Sequence, residues 1–190
     1  DRRQRGAVMI ALDHLVVAAR TLNEGVRWCE ATLGVTPGPG GKHPLMSTHN
    51  RLFNIGSDAF PNVFFEIIAI DADAPPPGRV RWFGLDTLDL SGGPRLVTFV
   101  ARANSLDDTL AAWETPLGWL HWRIAVRDDG AVLCGGAMPT PIEWGGRHPA
   151  ASMPPSGVVL RSLTLRGVPR AALDTPQLAV ANTPGPALEA

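Results

Sequence analysis

The apolar positions of this chain fall into one pattern that occurs twice. Residues 10–19 (IALDHLVVAA) are nearly continuous Val, Ile, Leu and Ala, as expected of a strand covered on both faces. Thr21-Leu-Asn-Glu24 then forms a capping box, in which the Thr and Glu side chains satisfy free amides at a helix start. Leu22, Val26, Cys29 and Leu33 mark one helical face, and Gly34 is placed to end it. At an offset of 84 residues the pattern returns. Residues 95–102 (RLVTFVAR) form the strand and Ser105 the cap; Leu106, Leu110, Trp113 and Leu117 form the face, and Gly118 the stop. Six positions matched in chemical type at one offset read as an internal duplication.

A run of strands follows each helix. The first half offers 46–55 and 63–70; the second offers 121–127, 131–138 and 140–144, with Asp129-Gly130 as a hairpin turn. The expected fold is therefore α+β. Two tandem βαβββ modules, residues 9–71 and 94–150, curl into one open, cupped mixed β-barrel with the helices outside. Residues 72–93 have the proline, glycine and charge of a linker, but Trp82 and Phe83 need cover, so it is expected to lie across a surface. Residues 151–190 supply extra strands and a tail: a strand over 157–166, a short one in LDTPQLAVA, then a turn and a frayed end in TPGPALEA. Met9 reads as a natural start, with residues 1–8 a disordered arm ahead of it.

Composition narrows the function classes. Of 190 residues, 17 are basic and 18 acidic, a net charge of -1, which speaks against nucleic acid or an anionic membrane as partner. No apolar run reaches the roughly 18 residues of a membrane span, and no secretory signal pattern is visible. Cys29 and Cys134 are isolated, which fits a reducing, cytoplasmic setting. The glycines at 38–41 precede no Gly-Lys-Ser/Thr, and no dinucleotide-binding spacing occurs, so no nucleotide cofactor is expected.

The chemistry concentrates in the apolar strands. His14 interrupts LDHLVV and Glu66 interrupts FFEIIAI, where an unpaired polar group is costly. In a duplicated fold, equivalent strand positions converge on a shared concave floor. The helix offset pairs His14 with Thr98, read as a substrate contact, and strand context, PIEW against FFEI, pairs Glu66 with Glu143. His14, Glu66 and Glu143 would together suit a divalent cation such as Mn, Fe, Ni, Co or Zn, with positions left open for substrate. Glu143 reads equally as an exposed strand-end partner of Arg147 or Arg123. His49 shares strand parity with Phe53 and Ile55 and is read as an inward-facing acid/base; Asn50 could orient a substrate oxygen. GGKHP (residues 40–44) and GGRHP (residues 145–149) are candidate rims that place His43 and His148 at a pocket mouth. Arg123 is a candidate for an anionic substrate group, and Trp119, Trp122 and Trp144 for the walls of an apolar site.

LDHLVVAA followed by helix and LG, then GGKHPLMSTHNRLFNIG, FFEIIAID and PIEWGGRHPA, resembles the vicinal-oxygen-chelate superfamily. Within it the chain is most similar to glyoxalase-like domain proteins, over roughly residues 9–168. The resemblance implies ligands from the first and fourth strands of each module, which His14, Glu66 and Glu143 match and Thr98 does not. The four-ligand set of glyoxalase I is thus incomplete, and the two-histidine, one-glutamate set of ring-cleaving dioxygenases is not reproduced. The expected function is a divalent-metal-dependent lyase, isomerase or dioxygenase acting on a small oxygenated metabolite, with Glu143 or His49 moving the proton. The alternative is a metal-free protein that sequesters a drug or metabolite in the same concavity. Either serves as monomer or homodimer, because paired modules complete a barrel within one chain.

Overall fold

The computed structural model describes residues 10–113, 118–119, 123–169, 173, 175 and 177–190. The expected arm 1–8, Leu117 and Trp122 lie outside the described residues.

Strand β1 (Ile10–Ala18) leads into helix α1 (Leu22–Leu33). The Thr21 hydroxyl accepts the Glu24 amide at 3.1 Å, and Gly34 closes the helix in the left-handed conformation at φ 68. Cys29 and Gly25 are its buried residues; a methyl group at Gly25 would collide with Ile67, so glycine sets how closely the helix approaches the sheet. Three strands follow: β2 (Lys42–His43), β3 (Thr48–Asn54) and β4 (Phe64–Ile70). The second half repeats the order with β5 (Arg95–Ala103), α2 (Leu106–Trp113), β6 (Gly118–Trp119), β7 (Ala125–Val126) and β8 (Thr140–Ile142).

Six strands form one mixed sheet in the order β2-β3-β4-β1-β5-β8. At its centre β1 runs parallel to β4 and antiparallel to β5. An Ile124–Ile142 bridge attaches the β6–β7 pair beyond β8, so both halves follow the same path out from the central antiparallel pair. This is the cupped, duplicated sheet expected from sequence. The expected strand over 131–138 is instead a loop with a single helical turn at Cys134–Gly136, because Gly135 and Gly136 both take positive φ.

Two apolar layers sandwich the sheet. On the helix side lie Leu12, Leu15, Val17, Phe53, Phe65, Ile67 and Phe99, with Cys29 over them. The concave side carries Val16, Ala18, Ile68, Val100 and Ile142. Leu12 and Leu15 share a face although three residues apart, which simple alternation forbids. The reason is a β-bulge: Leu12 pairs with Ala101 and His14 with Val100, leaving Asp13 as the extra residue.

The linker crosses the concave side as a strap. Trp82 and Phe83 are buried there, stacked at 5.2 Å, and Phe83 sits at φ 57, a strained setting for an aromatic residue. Arg81 anchors the strap through Nε to the Met46 carbonyl (3.0 Å) and Nη1 to Asp86 (2.6 Å). The Gly84 amide donates to Gly130 O at 2.7 Å, and a side chain at Gly130 would strike the Arg81 carbonyl.

The C-terminal part is more ordered than its sequence indicates. Strand β9 (Thr164–Arg166) is shorter than the expected 157–166, β10 is Ala179–Ala181, and the expected frayed end forms β11 (Leu188–Glu189). They make a separate sheet in the order β10-β9-β11, with Leu163, Leu165 and Leu188 in the helix-side core.

Candidate functional site

The bulge in β1 makes the site. Extra and following residue turn toward the concave side together, so Asp13 and His14 enter one polar cluster. Asp13 is fully buried, and four groups converge on it. His14 Nδ1 contacts Oδ1 at 2.6 Å; on Oδ2 the Trp144 indole N–H donates at 2.8 Å, His148 Nε2 lies at 2.7 Å and Arg102 Nη1 at 3.9 Å. Burial alone would protonate Asp13, but the His14 and His148 contacts and their charge outweigh it and hold the carboxyl well below its ordinary range.

On its other side His14 meets Glu66: Nε2 and Oε2 are 3.2 Å apart. The contact is an ion pair, and beyond it the buried Glu66 Oε2 has no hydrogen-bond partner. Oε1 accepts from Asn50 Nδ2 at 2.7 Å, while Asn50 Oδ1 accepts the Gly41 amide at 2.8 Å, which fixes the amide's orientation. Burial opposes a charged His14, yet the Asp13 bond, the adjoining Glu66 carboxylate and both negative charges raise its pKa to about 9. Glu66 is held below its ordinary value, because His14, then His43 and Asn50, outweigh its burial. His43 is shifted the other way, its burial favouring the neutral ring, and its Nδ1 lies 3.0 Å from Thr48 Oγ1. At neutral pH the floor therefore holds a cationic imidazole between two carboxylates.

A cavity of about 410 Å³ opens over this floor, a size suited to a small molecule. His14, His43, Asn50 and Glu66 line its polar end; Trp82 and Phe83 of the strap, with Ile124, Ile142 and Trp144 of the second half, line the remainder. His14 stacks on Phe64 at 4.4 Å.

The sequence-derived site residues divide sharply. His14, Glu66, Asn50 and Trp144 meet at the cavity, and His148 stands behind it on Asp13. Glu143 does not join them. Its Oε1 takes Arg123 Nη1 at 2.6 Å and its Oε2 accepts the Leu106 amide at the start of α2, at 2.8 Å. Sheet register explains the correction. Val16 pairs with both Glu66 and Thr98, and its counterpart Val100 pairs with His14 and Thr140, so the second-half equivalent of Glu66 is Thr140. Arg123 is committed to Glu143 and Asp107, away from the cavity. Thr98 is buried and its hydroxyl donates to Gly136 O at 3.0 Å. His49 has the expected parity with Phe53, but that parity points to the helix side; its nearest charged contact is Asp71, at 3.9 Å.

Asp13 escaped the sequence reading. Its signal was an acidic residue next to the strand histidine in a run otherwise apolar. Trp82, whose sequence context asks only for cover, is a wall of the cavity.

The resemblance implies a divalent ion on this floor. His14 Nε2 and Glu66 Oε2 are two donors, but the other two converging positions are Thr98 and Thr140. Among the described residues no group of three or more His, Cys, Asp or Glu side chains is gathered as an ion would require. A resident catalytic ion takes about three protein donors besides its open position. The described donor set does not fit one.

With fold and site in view, comparison with known proteins gives the class. Residues 12–179 match the glyoxalase-like domain family, and the chain belongs to it. Its fold is that of the vicinal-oxygen-chelate superfamily. Two solved structures of Streptomyces coelicolor methylmalonyl-CoA epimerase variants, each in complex with 2-nitronate-propionyl-CoA, share that fold. One has a TM-score of 0.50 and 10% identity over 74% of this chain and 100% of its own. The other has a TM-score of 0.50 and 10% identity over 75% and 99%. At that identity the likeness is one of fold. A search of curated proteins returns no significant match. No helix among the described residues is long and apolar enough to cross a membrane.

Proposed function

We propose that this glyoxalase-like protein is an isomerase or lyase in which Glu66 exchanges a proton with a small oxygenated molecule. The observation that carries the reading is Glu66 itself. It is the carboxylate that lines the cavity among the described residues, it is held ionised, and one oxygen is left without a hydrogen-bond partner. A carboxylate that is ionised at neutral pH and lines the cavity is placed to take a proton from a molecule bound there.

The residues on the floor divide the work. Asn50 holds Oε1, leaving Oε2 to take a proton from the carbon beside a carbonyl. The C–H electron pair becomes the C=C of an enolate, and the carbonyl oxygen takes up the negative charge. The His14 imidazolium, aimed by Asp13, offers charge and an N–H to that oxygen, a role a metal ion would otherwise fill. Where the deprotonated carbon bears a hydroxyl, return of the proton to the former carbonyl carbon, with the hydroxyl proton passing to the former carbonyl oxygen, completes an isomerisation. Departure of a group with its bonding electrons from the carbon on the far side of the C=C, as the carbonyl re-forms, completes a lyase reaction. The apolar walls exclude water from the enolate.

Sequestration without turnover is the second reading, favoured by the largely apolar wall of Trp82, Phe83, Ile124, Ile142 and Trp144. Hydrogen–deuterium exchange at carbon separates the two. Incubated in D2O with 2-oxo and hydroxycarbonyl compounds, the protein is expected to label the α-carbon as read by NMR, and Glu66→Gln is expected to stop labelling while retaining binding. Labelling undiminished in Glu66→Gln overturns the proposal; binding without labelling in the parent protein establishes sequestration.

A further inference from the structure

The second half of the chain reaches the floor through a first-half carboxylate. Asp13 Oδ2 carries two donors from the stretch that follows β8: the Trp144 indole N–H at 2.8 Å and His148 Nε2 at 2.7 Å. The donating nitrogen of His148 is fixed, because its Nδ1 accepts the Ala150 amide at 3.2 Å where the helical turn Pro149–Ser152 begins. That turn is tied in its own right to β3, where Asn54 Nδ2 donates to Ala150 O at 3.4 Å. Asp13 Oδ1 is left to His14 Nδ1, at 2.6 Å. A buried carboxylate held on one oxygen by two directed donors cannot turn freely, so the line from Oδ1 to His14 is set from the second half.

Satisfying a buried carboxylate would account for the donors alone, but not for where their rings lie. Trp144 has its ring in the cavity wall and its N–H on Asp13, so one side chain meets both the ligand space and the floor. His148 packs edge-on against Trp144, ring centres 5.5 Å apart, and lies 5.8 Å from Phe64, the ring on which His14 stacks. Wall, Asp13 and His14 therefore form one path of direct contacts. A group that stabilises developing charge works best when it is already held in place, because nothing then has to reorganise during the reaction.

We infer that Trp144 and His148 are positioning residues, which act through Asp13 to hold the His14 ring on the line where it meets a developing oxyanion. This rests on the role of His14 proposed above, and adds to it the second half's share in the floor.

The Nδ1 proton of His14 reports the arrangement without any substrate. NMR of the full chain carrying isotope-labelled histidine observes it, its absence in His14→Gln assigns it, and its exchange with water is measured beside that of the β1 and β5 backbone amides. Trp144→Phe keeps a ring and removes the N–H. His148→Met removes the donor at similar length, and His148→Gln returns one. Exchange of the His14 proton is expected to quicken about tenfold in Trp144→Phe and His148→Met, the worth of one hydrogen bond, and to recover in His148→Gln. The amides are expected to keep their rates. The inference is overturned if the His14 proton ignores both substitutions, if proton and amides quicken together, or if His148→Gln is no better than His148→Met. In α-carbon labelling, Trp144→Phe is expected to lower kcat about tenfold with KM little changed, since the ring stays in the wall. A raised KM at unchanged kcat would make Trp144 wall only and overturn its part. Should Trp144→Phe fail to fold, the His148 pair carries both measurements. A parent protein that labels nothing sinks the proposed proton exchange, and the His14 proton then decides the inference by itself.

Discussion

The two halves of this sheet share a geometry but not a chemistry. In the first strand of each, one residue is squeezed out of the ladder: Asp13 between Leu12 and His14, and Val97 between Leu96 and Thr98. The two bulges stand at the same offset as the helix caps, so the duplication copied even the irregularity. What fills them differs. The first half puts Asp13 and His14 at the bulge and Glu66 on the strand beside it; the second puts Val97 and Thr98 there, with Thr140 beside them. Scaffold symmetry thus supplies four convergent positions, and one half alone furnishes them with ionisable groups. The other half contributes wall.

Matched substitutions in the two halves test that division. The largest contrast is expected in turnover. Glu66→Gln should lower α-carbon exchange by about 10²–10⁴-fold, the usual worth of a general base, whereas Thr140→Val at the equivalent position should change it little. Equal losses from both would break the comparison. The next contrast is in stability. Asp13→Ala strands His14, Trp144 and His148 around an empty place and is expected to cost about 3–5 kcal/mol in denaturant unfolding, the scale for breaking a buried charge pair. Val97→Ala should cost less, about 1–3 kcal/mol of lost burial.

A pH dependence follows from His14. Its folded pKa of about 9 exceeds the ordinary 6.5, so it binds its proton more tightly folded than unfolded. The stability it contributes is complete below pH 6.5 and declines as pH rises through about 9. Asp13 and Glu66 are shifted down, so theirs is present above the ordinary carboxylate range and declines on acidification. Thermal melts across pH 5–10 should fall on the alkaline side, and His14→Gln should flatten that fall. The smallest effect is assigned to Glu143→Gln. Its ion pair with Arg123 is partly exposed and its helix-start contact is single, so about 1 kcal/mol is expected, with exchange unchanged.

Much of this was legible in the sequence where a signal was local. The cap of α1, its glycine stop and the long strands β1, β4 and β5 follow from patterns within ten or so residues. The meeting of His14 with Glu66 followed from duplication, a longer-range signal; Asn50 was legible as a polar residue of the site, but its hold on Glu66 was not. Three features lay beyond such signals. A bulge shifts parity by one residue without changing composition, so Asp13 read as an ordinary neighbour of His14. Register between β5 and β8 is set by pairing across the sheet, so PIEW aligned with FFEI by likeness while the ladder placed Thr140 opposite Val100. Parity placed His49 with Phe53 correctly, yet parity cannot say which of two buried faces carries the site.

The strap also has a consequence for inheritance. The segment that joins the halves is itself part of the enclosure, through Trp82 and Phe83. The halves therefore cannot be exchanged with those of a relative as independent parts, since whichever half brings the strap also brings one side of the ligand's surroundings. A break in the chain within 72–93 would sever the connection and unroof the cavity in a single event. Conversely, drift in that stretch could reshape what the protein accepts while every ionisable group on the floor stays as it is.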